Sequence, residues 1–272
     1  MGIQLIVCDV DGTLIGTDRR EPKELEILAE WIDRYRIPFT IASGRIPARI
    51  EGLVKKLHLK LPVIGCNGAC AVQGDTYLWN DFLPVTHLRE AVETADELGM
   101  SVVYTDGKME WAYRKTPWVQ DLMDNYGRYD GIWKPSEMEW KSIQMQKVLI
   151  AGAERKEDAE LVFEKLLPYQ EELNLVRYED GVLDITTKSS DKGKGVKRLA
   201  ELLHIPARDI LAIGDHQNDM GMIRFAGIGA AVGNGTEELK QWADYVCENE
   251  LAAGVLEAVR AFCLSEESED ES

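Results

Sequence analysis

An almost unbroken apolar run at positions 3–8, Ile3-Gln4-Leu5-Ile6-Val7-Cys8, leads directly into Asp9-Val10-Asp11-Gly12-Thr13-Leu14. A short continuous run of this kind predicts a strand buried on both faces, the central strand of a parallel sheet. Residues 17–21 are polar and predict a loop. Pro22 then opens a helix whose Leu25, Leu28, Ala29, Ile32 and Tyr35 fall on one face. Phe39-Thr40-Ile41-Ala42 predicts a second strand and Ser43-Gly44-Arg45 the loop after it, followed by a helix over 48–57 and a third strand over 63–66. Strand and helix in alternation indicate a doubly wound sheet.

The rhythm changes near Asp81. A helix over 87–98 precedes a strand over 101–105, with 109–113 as its hairpin partner. A second helix over 156–167 precedes strands over 175–178 and 182–186, joined by the turn Glu179-Asp180-Gly181. Helix plus hairpin predicts an α+β insert with an antiparallel sheet. Five of the seven tryptophans (Trp79, Trp111, Trp118, Trp133 and Trp140) lie in or beside it, where they can pack the sheet or stack on a ligand ring. The first rhythm resumes at Lys192 with a helix to Leu203, a strand over 210–213 and a last helix over 251–262. The fold class expected is α/β: a doubly wound, mainly parallel Rossmann-like sheet core with an inserted α+β domain. The core takes 1–81 and 188–264, the insert 82–187, and the acidic stretch 265–272 reads as a disordered, solvated tail.

Composition narrows the function. With 272 residues, 45% hydrophobic and 29% charged, the chain has the make-up of a globular protein. A net charge of −17 argues against nucleic acid as a partner but leaves room for a small anionic substrate in a local pocket. The 5 cysteines are odd in number and irregularly spaced, which predicts reduced thiols in a cytoplasmic protein. Cys66 and Cys70 have no matching second pair, so no zinc site is expected. No apolar stretch approaches a membrane span and no signal peptide opens the chain. Monomer and dimer both stay open.

The candidate chemistry lies at strand ends and helix starts. Asp9 and Asp11 stand at the C-terminal end of the first strand, where open α/β sheets collect ligands. Ser43-Gly44 offers a hydroxyl and backbone N–H groups for phosphate oxygens. Lys192-Gly193 places an ammonium at a helix N-terminus. Gly214-Asp215-His216-Gln217-Asn218-Asp219 supplies further carboxylates for a hard cation. Each alone has an ordinary reading, as a turn, a loop, a solvated lysine or a helix cap. The four in this order, each at the edge of the same sheet, favour a common site.

Together these segments resemble the haloacid dehalogenase superfamily of phosphohydrolases, in its Cof-type branch, with a C2-type cap inserted between the second and third motifs. The matching residues are Asp9-Val10-Asp11-Gly12-Thr13-Leu14, Ser43-Gly44-Arg45, Lys192-Gly193 and Gly214-Asp215 with Asn218-Asp219 and Met222. Asn67-Gly68-Ala69 and Ala226-Gly227 through Val232-Gly233-Asn234 also fit. Two places depart from the pattern: His216, in a slot where smaller residues are frequent, and Ala252-Ala253-Gly254-Val255, where an acidic residue is common before the Gly-Val. The resemblance implies a Mg²⁺-dependent phosphatase acting on a small phosphorylated metabolite, such as a sugar phosphate or a phosphorylated cofactor, through an aspartyl-phosphate. It implies Asp9 as nucleophile, Asp11 as acid/base and Lys192 as the third catalytic group. Mg²⁺ is then held by the Asp9 carboxylate, the Asp11 backbone carbonyl and Asp215, with Asp219 behind, orienting waters or Lys192. Val10, Ser43, Gly44, Lys192 and Asn218 bind phosphate, Arg45 is a candidate substrate contact, and the cap selects the substrate. A phosphomutase or phosphotransferase using the same aspartyl-phosphate, and a non-catalytic phosphate-binding module, are the alternatives. A glycosyltransferase using Asp-x-Asp for metal alone leaves Lys192 and Asp215 to Asp219 without a role.

Overall fold

A computed structural model describes residues 2–16, 20–126, 129–152, 155–178 and 181–264. The acidic tail expected at 265–272, positions 17–19 of the expected loop and positions 179–180 of the expected turn lie outside the described residues. The chain forms two compact units. One comprises the described residues of Met1–Arg45, Arg49–Leu78 and Asp191–Ser272, the other those of Ile46–Ala48 and Trp79–Ser190.

The chain begins with β1 (Leu5–Cys8), α1 (Glu24–Arg34), β2 (Phe39–Ile41), α2 (Pro47–Lys56), β3 (Val63–Gly65), β4 (Cys70–Gln73) and β5 (Thr76–Asn80), all in the first unit but for the first residues of α2 and the last two of β5. The second runs through α3 (Arg89–Glu97), β6 (Ser101–Thr105), β7 (Glu110–Ala112), α4 (Pro117–Tyr126), β8 (Gly131–Ile132), β9 (Lys147–Ala151), α5 (Lys156–Leu166), β10 (Leu173–Arg177) and β11 (Leu183–Thr187). The chain then returns to the first unit with α6 (Lys192–Leu203), β12 (Ile210–Gly214), α7 (Met220–Phe225), β13 (Ile228–Ala231), α8 (Glu237–Lys240), β14 (Tyr245–Val246) and α9 (Leu251–Cys263).

Among the described residues the first unit's main sheet has the order β14-β13-β12-β1-β2, parallel throughout. Every residue of β1 is buried, as its apolar run predicts. Ile6 and Cys8 face a cluster built from Leu25 and Leu28 of α1, Ile50 and Leu53 of α2, and Val255 and Val259 of α9. Leu5 and Val7, of the opposite parity, are equally buried. On the sheet's second side α7 packs against β12 and β13, and α6 packs against α7. Each fully buried Leu or Ile contributes about 1.5–3 kcal/mol, so the helices are held mainly by their apolar stripes. Tyr35, expected on the α1 stripe, falls one residue past the helix and packs partly buried against the same cluster.

Two differences follow from local backbone. β3 joins the parallel sheet by a single bridge, Ala42 to Ile64, and otherwise pairs antiparallel with β4. Cys66, Asn67 and Gly68 have φ of 51, 52 and 96°, and this left-handed turn folds the chain back on itself. In the second unit the sheet has the order β10-β11-β9-β6-β7-β8. The hairpin pairs β6–β7 and β10–β11 are antiparallel. Between them lies β9, whose Val148-Leu149-Ile150-Ala151 is a continuous apolar run that period alone does not separate from a buried helix. Trp140 is 3% exposed, and Trp111 and Trp133 pack against the cluster under α3 and α5, so these rings serve as core. All five cysteines are free. No helix among the described residues is long and apolar enough to cross a membrane.

Candidate active site

Parallel pairing sets three strand ends level. Cys8 stands opposite both Ile213 and Ile41. The ladder continues one step further, with the Asp9 N–H donating to the Ile213 carbonyl and the Ala42 N–H to that of Cys8, both at 3.0 Å. The residues that leave the sheet here are Asp9, Ser43 and Asp215, the ones singled out from sequence. A tight loop follows Asp9: the Val10 carbonyl accepts the N–H groups of Leu14 and Ile15, each at 2.9 Å. Gly12, at φ +89°, makes that loop possible and also leaves room for Asp215. A Cβ at Gly12 would stand 2.2 Å from Asp215 Oδ2.

Lys192 arrives from the other direction, as the first residue of α6. Asp191 caps the helix by accepting the Lys194 N–H at 2.8 Å. Gly193 lets α6 meet α7 backbone to backbone, since a Cβ there would lie 2.4 Å from the Gly221 carbonyl carbon. This close approach brings the Lys192 ammonium, 1% exposed, between two carboxylates. It donates to Asp9 Oδ1 at 2.5 Å and to Asp219 Oδ1 at 2.6 Å. Asp219 Oδ2 in turn accepts the N–H groups of Asp215 and His216, each at 3.0 Å. The Thr13 hydroxyl donates to Asp215 Oδ1 at 2.6 Å and lies 3.5 Å from Asp9 Oδ2.

Ligand atoms of Asp9, Asp215 and Asp219 lie within 4.8 Å of one another, and all three residues are buried. One ammonium offsets three carboxylates. Burial, then the charge of Asp219, raises the Asp9 carboxyl well above its usual range, against the pull of Lys192. Burial and Asp219 raise Asp215 as well, while the Thr13 hydroxyl opposes the shift. Burial works against charge on Lys192, but Asp219 and Asp9 together outweigh it and hold the ammonium protonated.

The neighbouring groups fill out the site. Ser43 is fully buried, and its hydroxyl accepts the Arg45 N–H at 3.1 Å, leaving its own proton to donate. The Ser43 carbonyl accepts the Asn67 N–H, and the Asn67 amide oxygen accepts from Asn218 at 3.4 Å. Gly44 lies against the Asn67 side chain, where a Cβ would stand 3.1 Å from Asn67 Oδ1. The Asp11 carboxylate is gripped by Arg45 through two hydrogen bonds of 2.8 and 2.5 Å. Asn234 ties the loop to α9, donating to the Gly12 carbonyl and accepting the Leu251 N–H, both at 2.8 Å.

The site thus gathers Asp9, Lys192, Asp215 and Asp219 in direct contact, with Ser43, Gly44 and Asn218 around Asn67 and with Asp11 on Arg45. Thr13, Asn67 and Asn234 join it without having been assigned roles from sequence. For Asn67 the signal was an Asn-Gly pair, which favours the left-handed backbone it adopts.

The sequence profile of the haloacid dehalogenase-like hydrolases matches residues 6–259. The chain belongs to that family. A phosphoglycolate phosphatase of Methanosarcina acetivorans is 38% identical over 263 residues, covering 95% of this chain and 96% of the relative. The crystal structure of a haloacid dehalogenase-like hydrolase from Bacteroides thetaiotaomicron superposes with a TM-score of 0.81 at 26% identity, over 95% of this chain and 99% of that one. A haloacid dehalogenase-like hydrolase from Bacillus subtilis has the same fold, with a TM-score of 0.82 at 21% identity over 96% of this chain and 100% of its own. As a member of this family the protein is a phosphoric monoester hydrolase, and the buried group around Asp9 is its candidate active site.

Proposed function

We propose that this haloacid dehalogenase-like hydrolase is a Mg²⁺-dependent phosphatase of a small phosphorylated metabolite, working through an aspartyl-phosphate on Asp9. The observation that carries the reading is the buried Asp9 carboxylate at the strand end, bonded to Lys192 and flanked by Asp215. Such a nucleophile attacks phosphorus in line. Asp11 gives a proton to the departing oxygen, then takes one from the water that cleaves the intermediate. Lys192, the Ser43 hydroxyl, the Val10 and Gly44 N–H groups and the Asn218 amide stabilise charge on the phosphoryl oxygens, where most of the catalysis of phosphoryl transfer lies.

The donor set fits a hard divalent cation. Its atoms are all oxygens, those of the Asp9, Asp215 and Asp219 side chains lie within 4.8 Å of one another, and the buried carboxylates exceed the single ammonium among them. The Asp9 and Asp215 carboxylates and the Asp11 backbone carbonyl would hold it. Asp219 already spends both oxygens on Lys192 and two N–H groups, which suits a supporting role. When bound, the cation neutralises phosphoryl charge and keeps Asp9 ionised.

The named relative makes phosphoglycolate the first substrate to assay, followed by sugar phosphates and phosphorylated cofactors. The free cysteines support the cytoplasm as its compartment. Phosphate release from p-nitrophenyl phosphate with Mg²⁺ and with EDTA, for the wild type and Asp9→Asn, tests the reading. Activity should require Mg²⁺ and fall by several orders of magnitude in Asp9→Asn. Near-normal turnover by the folded variant removes Asp9 from the chemistry.

A further inference from the structure

Arg45 and Asp11 meet across two loops that the parallel sheet sets side by side. Arg45 Nε donates to Asp11 Oδ2 at 2.8 Å and Nη2 to Oδ1 at 2.5 Å. Two roughly parallel bonds from one guanidinium fix a carboxylate in plane as well as in distance. Asp11 depends on such a clamp more than its neighbours do. Its side chain is 53% exposed, against 5% for Asp9, so packing does not choose its rotamer. Arg45 itself is well anchored: its side chain is 23% exposed, its N–H donates to Ser43 Oγ, and its carbonyl accepts the Cys66 N–H at 2.9 Å. The clamp is therefore built on the loop that carries Ser43.

Resting on the reading of Asp11 as acid/base, we propose that Arg45 is a positioning residue that fixes the Asp11 carboxyl for proton transfer, and that this outweighs any direct hold on substrate. Two steps depend on that placement. In the first, the Asp9 oxygen–phosphorus bond forms and the phosphorus–alkoxide bond breaks; the departing oxygen keeps the electron pair and takes the proton of Asp11. In the second, water oxygen bonds to phosphorus, the bond to Asp9 breaks, and the water proton passes to Asp11. A rotamer error at Asp11 slows both without changing how tightly the phosphate is held.

The guanidinium fork separates this role from a point charge aimed at substrate. Lysine keeps the charge and loses the fork. Steady-state kinetics on an alkyl phosphate, whose leaving group needs a proton, should be measured for the wild type, Arg45→Lys, Arg45→Ala, Asp11→Ala and the Arg45→Ala/Asp11→Ala double variant. Arg45→Lys and Arg45→Ala should each lower kcat by about tenfold or more and leave KM within about threefold. Adding Arg45→Ala to Asp11→Ala should change kcat by less than about twofold, because the clamp has nothing left to hold. The inference is overturned if Arg45→Lys retains wild-type kcat, if Arg45→Ala acts on KM alone, or if the two alanine effects multiply while Asp11→Ala is itself slow. Wild-type turnover by Asp11→Ala instead overturns the acid/base reading beneath it.

Discussion

Replacing Lys192 by Met keeps the length and packing of the stem and removes the one ammonium between Asp9 and Asp219. Both carboxylates are at most 5% exposed, so water cannot take its place. Breaking a buried ion pair from one side costs about 3–5 kcal/mol, because the remaining charge is left without compensation. Here two carboxylates lose a donor at once, and Asp215 lies close enough to add its repulsion. The upper part of that range is therefore expected in EDTA at neutral pH, a fall in melting temperature of about 8–20 °C.

The pH dependence has a definite sign. Asp9 and Asp215 already have carboxyls raised above their unfolded values. Removing the ammonium raises Asp9 further. A group with a raised folded value contributes stability below its unfolded value and loses it as pH rises through the folded one. The deficit of Lys192→Met should therefore be largest at alkaline pH and shrink on acidification. Chemical denaturation followed by circular dichroism at pH 8 and pH 5.5, both in EDTA, measures it. A loss under about 1 kcal/mol at pH 8, or a deficit that grows on acidification, would refute the account of the site as a buried excess of negative charge.

Other perturbations act on the surrounding geometry. Gly12→Ala forces a Cβ to within 2.2 Å of Asp215 Oδ2 at a φ of +89°; it should cost about 1–3 kcal/mol in backbone strain alone and weaken Mg²⁺ binding by calorimetry. Unchanged metal affinity there would free Asp215 from the loop. Glu257 is held below the ordinary carboxylate range: desolvation pushes it up, but the N–H groups of Asn249 and Glu248 and the Asn249 and Tyr245 side chains outweigh it. A depressed folded value stabilises above the unfolded value and is lost as pH falls through the folded one. Glu257→Gln should accordingly cost up to about 1 kcal/mol at pH 7, a cost that shrinks as pH falls through the folded value, read by urea titration.

Much of this was legible in the chain, and what was not has physical causes. β1 and β12 are buried on both sides, so their residues are apolar without alternation and announce a parallel core. The helix start at Lys192 was legible from the amphipathic pattern that runs on to Leu203; the close approach of Gly193 and Gly195, on the buried face of α6, appears only in the structure. β9, β4 and β5 were not. β9 is a continuous apolar run that period alone does not separate from a buried helix, and β4 exists because Cys66 and Asn67 turn left-handed, which no hydrophobic pattern encodes. The pairing of Arg45 with Asp11 was equally silent, because it joins residues 34 positions apart through a sheet register rather than through spacing.

Spacing also cannot divide labour among the acidic residues, whereas counting occupied oxygens can. Asp219 accepts Lys192 on one oxygen and two N–H groups on the other, so its capacity is nearly spent within the protein. Asp9 gives one oxygen to Lys192, has the Thr13 hydroxyl 3.5 Å from the other, and meets the Asp215 side chain. Asp215 uses Oδ1 for Thr13, and its other oxygen faces the Gly12 loop. Two carboxylates with spare lone pairs beside a third that is saturated can share a cation while the third holds the ammonium. The same count distinguishes Asp11, whose two oxygens are both taken by Arg45. Its carboxylate is held on Arg45, apart from the cation-binding pair.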